Sequence, residues 1–434
     1  MLETGGCMLR ATIVDVLQMS RQACSLRPLR EPAGLQPTAS GLQPLMERLY
    51  FDYNATTPLL PEVLEAMLPY LKEDYGNPSS IHHFGQQARA AVEQARAQVA
   101  ALINCRPNEI VFTGGGTEAD NLAVFGAVRA AAAKGPGPKH VVTSAIEHHA
   151  VWNACQALEK EGAEVTYLPV GSRGIVSIED VRRALGPETA LVTVMYANNE
   201  IGAIQPVAEI AQLARAHGAL AHTDAVQAVG KIPVDVKALG VDLLALSGHK
   251  ICAPKGVGAL FVRRNTLLQP LSYGGHHERD RRAGTENVAG IVGLGRAAEL
   301  ARQSLAAESR RLAALRDRLE RGVLEKVPDT AVNGDPLHRV PNTCNLRFDC
   351  VEGEALVIAL DLKGVACATG AACSSGAIEP SHVLTAIGLR PEQARASLRF
   401  SLGRQTTEEQ VDRLLQILPG VVAHLRELSP VYKR

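Results

Sequence analysis

Seven apolar runs of strand length, separated by stretches of helical period, constrain this 434-residue chain more than any other feature. They cover residues 109–113, 140–146, 164–170, 190–196, 219–224, 242–247 and 258–263. All are rich in Val, Ile and Leu, and none alternates cleanly with polar residues. A strand with one wet face alternates, whereas a run apolar on both sides belongs to a sheet covered on both faces. Between the runs, 85–104 sets Ala88, Val92, Ala95, Val99 and Leu102 on one helical face, with Arg, Gln and Glu opposite. Residues 177–184 and 204–217 repeat that pattern in shorter form. Strand and helix in alternation predict a mostly parallel sheet with crossover helices.

The pattern changes near residue 295. A long charged helix over 295–327 leads to segments 343–348, 354–362 and 396–402, and then to a last helix over 407–428. This predicts a large α/β domain over 62–300 and a smaller α+β domain from 49–61 and 301–434. Residues 1–48, rich in Gln, Pro and Leu, read as a flexible extension. Lys plus Arg and Asp plus Glu are both 45, which argues against a general nucleic-acid binder. No run of about 18 apolar residues exists to span a membrane. The nine cysteines are odd in number and irregularly spaced, with no CxxC pair. That disfavours a disulfide framework or a structural zinc site and predicts reduced thiols in a cytoplasm.

In open α/β sheets, ligands bind beyond the carboxyl ends of the strands. The residues there are chemically coherent. Thr113-Gly114-Gly115-Gly116-Thr117-Glu118 is a glycine-rich strand-to-helix turn, able to bring backbone N–H groups to an anion. It lacks the spacing of a Walker or dinucleotide loop. His148 ends one strand, where an imidazole could stack on a planar ring or relay a proton. Asn198-Asn199-Glu200 follows another. Asp224 closes an apolar strand, where an unpaired carboxylate is costly and needs a cation or a helix to cap. Ser247-Gly248-His249-Lys250 follows the next strand. A lysine there becomes a Schiff-base nucleophile once its amine is deprotonated, although a solvated surface lysine is the commoner fate.

In this order the residues resemble the class-V aminotransferases, and more closely the cysteine desulfurases of the nitrogen-fixation and housekeeping iron–sulfur type. Supporting strings are Tyr50-Phe51-Asp52-Tyr53-Asn54-Ala55-Thr56-Thr57-Pro58, Gly76-Asn77-Pro78-Ser79-Ser80, Arg282-Ala283-Gly284-Thr285 and Ser397-Leu398-Arg399-Phe400-Ser401. The resemblance covers about 49–430 and implies a fold-type-I pyridoxal-phosphate transferase. It implies that Lys250 holds the cofactor covalently, Asp224 pairs with its ring nitrogen, His148 stacks on the ring, and Gln227 hydrogen-bonds its phenolic oxygen with Asn199 nearby. Gly116, Thr117, Ser247 and His249 would take the phosphate, with Thr285 supplied by the second subunit of a homodimer. Asn77 and Arg399 would hold the substrate carboxylate. The turn reads Thr-Gly-Gly-Gly-Thr where relatives often have Ser-Gly-Ala-Thr.

Residues 366–376 are nearly all small and read as a mobile loop carrying Cys373. Taken alone, Cys373 would be a buried small hydrophobe. The resemblance instead makes it the thiolate that takes sulfur from L-cysteine, holds it as a persulfide and passes it to an iron–sulfur scaffold or other acceptor. It could also serve there as a transient iron–sulfur ligand. Cys367, Cys344 and Cys350 read as packing residues. Two alternatives stand: another class-V aminotransferase or lyase in which Cys373 is idle, and a non-enzymatic thiol or metal-binding protein.

Overall fold

The computed structural model describes residues 48–133, 135, 140–369, 380–429 and 432. Apart from Arg48, the expected extension over 1–48 lies outside them, and so does Cys373.

Among the described residues, twelve strands form three sheets. They are β1 (Leu49–Tyr50), β2 (Ile110–Thr113), β3 (His140–Ser144), β4 (Glu164–Leu168), β5 (Thr189–Thr193) and β6 (Leu220–Asp224). β7 (Leu243–Ser247), β8 (Gly258–Val262), β9 (Thr330–Val332), β10 (Thr343–Phe348), β11 (Val365–Ala366) and β12 (Ser397–Ser401) follow. The large sheet has the order β2-β8-β7-β6-β5-β3-β4. β7, β6, β5, β3 and β4 run parallel, and β8 is antiparallel to both its neighbours. All seven expected runs are strands of this sheet, six of them one or two residues shorter at an end. The 190–196 run stops at Thr193, because Val194, Met195 and Tyr196 leave the sheet for the turn beyond it.

The absence of alternation has a direct cause. Along β8, Ala259 and Phe261 face one core while Leu260 and Val262 face another. Along β7, Leu244 and Leu246 face the first while Leu243 and Ala245 face the second. Each such side chain is nearly or fully buried, and each Leu, Val and Phe among them contributes roughly 1.5–3 kcal/mol from apolar burial.

Beyond the sheet, the long helix runs from Val288 to Lys326 and starts seven residues earlier than the charge pattern indicates. Gly290, Gly293 and Gly295 hide its period, yet they are needed. A Cβ on Gly295 would stand 2.6 Å from the Ala95 Cα of the helix His83–Leu102. Asn287 caps its start, with Oδ1 accepting from the Gly290 N–H at 3.1 Å. Ile291 and Leu294 pack against the sheet, whereas Leu315 and Leu319 join a separate core with Phe51, Phe348 and Phe400. β10 pairs antiparallel with β12 and β9, and β11 pairs with β1. Leu49 and Phe51 belong to that second core, while Leu60, Val63 and Met67 belong to the first. The segment 49–67 thus joins the two cores. Among the described residues, no helix is long and apolar enough to cross a membrane.

Cys344 and Cys367 are buried, and burial pushes both thiols up to about 12. Cys350 differs from its expectation. It is exposed on a turn, with φ of 65°.

Candidate active site

A cavity of about 300 Å³ opens where β2, β3, β5, β6 and β7 end. Its lining brings together Gly116, Thr117, His148, Asn199, Asp224, Gln227, Ser247, His249, Lys250 and Arg399, all singled out in the sequence. It also includes Asn54, Asp120 and Met195, which the sequence does not single out. Asp120 lies one turn into the helix Gly116–Ala132, three residues after Thr117. That spacing on a helix was the available signal.

Each side chain is placed by its element. The helix Gly116–Ala132 begins at Gly116, inside the glycine-rich turn, and points its N-terminus at the cavity. A Cβ on Gly116 would lie 2.8 Å from Val226 Cγ2 and 3.4 Å from Ser247 Cβ, so only glycine lets the helix end approach Ser247 this closely. The Glu118 carboxylate secures the turn by accepting from the Gly114 N–H at 2.6 Å and from Arg282 Nε at 2.8 Å. His148 is the N-cap of the helix His149–Lys160, and its Nδ1 accepts from the Ala150 N–H at 3.2 Å. That bond leaves Nε2 to carry the proton of a neutral ring. Burial, with Lys250, His149 and His382 nearby, lowers His148 to about 4.

Asp224 ends β6 with Oδ1 accepting from the Val226 N–H at 2.8 Å. The residues after it form a turn and not the helix that one sequence reading allowed. Burial raises its pKa, against the opposing pull of the Val226 N–H and Lys250. Asp120, also buried, is raised well above the carboxylate range by burial, then by Asp224 and Glu147. Glu147 is pushed up to about 8 by burial, although it accepts from Ser144 Oγ at 2.5 Å and the Met195 N–H at 2.9 Å. His222 Nε2 stands 3.6 Å from Asp120 Oδ1, and burial lowers that imidazole to about 3.

Lys250 Nζ donates to the main-chain oxygens of Asn54 at 2.6 Å and Ala55 at 2.7 Å. His249 Nδ1 meets Thr56 Oγ1 at 3.1 Å, and burial beside Lys250 and Lys255 lowers it to about 4. Arg399 donates from Nη2 to Asp52 Oδ1 at 2.7 Å and from Nη1 to the Asn199 carbonyl at 3.0 Å. Asn77 and Thr285 do not join this cavity within the single chain. Both are exposed and line a separate cavity of about 660 Å³ with His277 and Glu278.

The lining suits an anionic, planar, aromatic cofactor. Among the described residues, Asn199 Oδ1 and Arg399 Nε are buried without a partner. The helix N-terminus, Ser247 and His249 supply neutral or positive donors at one end of the cavity, and Asp224 supplies an acid at its floor.

The class-V aminotransferase family model matches residues 49–414. The chain belongs to the class-V aminotransferase family. Enzymes of this family depend on pyridoxal phosphate. The chain is 50% identical over 390 residues to the cysteine desulfurase IscS of Dictyoglomus turgidum, covering 90% of this chain and 98% of that one. It is 51% identical over 385 residues to a cysteine desulfurase of a Nostoc species, covering 89% and 95%. A solved NifS-like protein superposes with a TM-score of 0.81 at 35% identity, over 87% of this chain and all of that one. The solved structure "SspA in complex with cysteine" matches with a TM-score of 0.73 at 37% identity, over 82% of this chain and 98% of that one.

Proposed function

We propose that this chain is a cysteine desulfurase that converts L-cysteine to L-alanine and hands the sulfur to acceptors for iron–sulfur cluster assembly. The observation that carries the reading is one cavity. It gathers Lys250, Asp224, His148, Gln227 and the Gly116 helix end in a chain half identical to cysteine desulfurases along nearly all its described length. Pyridoxal phosphate, when bound, supplies an electron sink for the substrate α-carbon. Gly116, Thr117, Ser247 and His249 would hold its phosphate, Asp224 its ring nitrogen, Gln227 its phenolic oxygen with Asn199 nearby, and His148 the face of its ring.

Lys250 supplies the amine that anchors the cofactor and moves a proton at the substrate α-carbon. The neutral His148 ring can stack without adding a positive charge beside Lys250. Arg399 holds the substrate carboxylate with the guanidinium edge that Asp52 leaves open. Cys373 would take the sulfur: its thiolate attacks the substrate sulfur, the carbon–sulfur bond breaks, and the carbon takes a proton to give alanine. Atoms balance as one thiol plus cysteine giving one persulfide plus alanine. This role for Cys373 rests on the resemblance. Asn77 would complete the carboxylate site. Thr285, exposed on the segment that Arg282 ties to Glu118, would reach the phosphate of the partner subunit in a homodimer. The 62–300 and 49–61 plus 301–434 division into two domains, and a cytoplasmic setting, complete the reading.

The test feeds L-cysteine to the pyridoxal-phosphate-loaded protein with no keto acid. Alanine and enzyme persulfide in equal amounts support the reading. Alanine formed only when a keto acid is supplied would make the chain an aminotransferase with an idle Cys373. Cys373→Ser should stop persulfide formation while Cys367→Ser should not, and the reverse would assign the sulfur to Cys367.

A further inference from the structure

A second lysine lies behind the cavity. Lys231 follows the turn after Asp224 and is 7% exposed. Gly230, at φ of 76°, sets it there, since a Cβ on Gly230 would meet Ile251 Cγ2 at 2.7 Å. Lys231 Nζ donates to two side-chain amide oxygens, Asn54 Oδ1 at 2.9 Å and Gln227 Oε1 at close range. Among the described residues, no carboxylate pairs with it. Burial, with Lys250 and Arg399 facing it, pushes it well below the usual lysine range, and the Cys252 thiol opposes only weakly.

An amide oxygen and an amide nitrogen have nearly the same shape, so packing alone does not decide which way a glutamine faces. An ammonium decides it, because Lys231 can then meet Oε1 but would meet an NH2 group donor to donor. With Oε1 held by Lys231, the Gln227 Nε2 must point the other way. It does so, donating at 3.0 Å to the Asn54 main-chain oxygen that also accepts from Lys250 Nζ. Lys231 and Asn342 likewise hold Asn54 Oδ1, so Asn54 Nδ2 faces Asn199 O and Thr343 Oγ1 at 3.0 and 2.9 Å.

We propose that Lys231 is a positioning residue that turns the Gln227 amide N–H2, and not its oxygen, toward Lys250 and the cofactor. The inference rests on the reading that the cavity holds pyridoxal phosphate. Gln227 then donates to the phenolic oxygen, and Lys231 acts on that oxygen only through Gln227.

The experiment reads the pH midpoint of the visible absorbance of bound pyridoxal phosphate in wild type, Lys231→Met, Gln227→Ala and the double variant. A donor at the phenolic oxygen stabilises its anion, so losing that donor moves the midpoint upward. Lys231→Met should raise it by about one pH unit, the equivalent of one hydrogen bond to a charged group. Gln227→Ala should raise it at least as far, and Lys231→Met should add nothing in the Gln227→Ala background. Lys231→Gln, whose amide can still donate, should move it in the same direction by less, and it stands in if Lys231→Met does not fold. An unmoved midpoint in either lysine variant overturns the inference. A Lys231→Met shift that persists in the Gln227→Ala background also overturns it, because Lys231 would then act directly. Absence of the visible band in wild type would instead overturn the cofactor reading, and this inference with it.

Discussion

Glu278→Gln should loosen the segment that carries Thr285. Glu278, Arg279 and Asp280 stand in succession at φ of 47°, 58° and 64°, a left-handed region that costs a non-glycine residue on the order of 1 kcal/mol each. The opposing contribution is one buried fork. Arg96 donates from Nη1 and Nη2 to the two Glu278 oxygens at 2.7 and 2.8 Å, and the Phe112 N–H adds a bond at 3.0 Å. Both side chains are under 5% exposed. Breaking a buried pair by removing one charge costs about 3–5 kcal/mol. Gln keeps one acceptor and the half-exposed Glu93 still faces Arg96 at 3.1 Å, so about 2–3 kcal/mol is the expected loss here. At roughly 2 °C per kcal/mol in a chain this long, the unfolding temperature should fall by about 4–6 °C. Hydrogen exchange should localise the loosening to 276–285. Asp280→Gly removes part of the strain and should raise the unfolding temperature by about 2 °C. An unchanged unfolding temperature and unchanged exchange in Glu278→Gln would refute the argument, and so would destabilisation by Asp280→Gly.

Lys250→Ala should abolish both the visible absorbance of bound cofactor and alanine production, measured on the same purified sample. His148 gives a pH signature in the cofactor-free protein. Its folded-state pKa of about 4 is below the ordinary histidine value, so its stability contribution is complete above about pH 6.5 and is lost as pH falls toward 4. Unfolding curves of His148→Asn, which keeps a capping group, should therefore be flatter across that window than those of wild type. Among the described cysteines, Cys350 should react first with an alkylating reagent, with no loss of activity, while Cys344 and Cys367 label slowly. Peptide mass spectrometry checks the order.

The sheet and most of its ligand-facing residues were legible because both depend on local sequence. Apolar runs mark the strands, and the polar residues that end them mark the cavity. What escaped was set by contacts between distant segments. The long helix was legible only from residue 295 because glycines at 290 and 293 interrupt its first turns, where Gly293 makes room for Met67 and Pro254. Lys231 and Asn54 are 177 positions apart, and their bond exists only once the turn after β1 and the turn after β6 meet. Asn77 and Thr285 were named from motifs, and within the single chain both line a separate cavity.

The electrostatics of the cavity explain why these distant residues matter. Burial drives Asp120, Asp224 and Glu147 toward their neutral acids and drives His148, His222 and His249 toward their neutral rings. These groups are thus pressed toward the uncharged state, Asp224 the least of the three acids, with Lys231 pressed the same way. A floor of neutral acids cannot stabilise a ring cation until one of them ionises. Asp224 and Glu147 each accept from a backbone N–H, and of the three acids Asp224 is the one that Lys250 also favours ionised, so it is the cheapest to ionise. A cation arriving above β6 would therefore select Asp224 as its anion and leave Asp120 and Glu147 protonated beneath it. Replacing Asp120 with Asn should then be nearly silent in cofactor affinity, whereas replacing Asp224 with Asn should weaken it by 10-fold or more, about 1.4 kcal/mol per factor of ten. An Asp120→Asn loss as large as that of Asp224→Asn would move the ionised carboxylate to the helix and reverse the assignment.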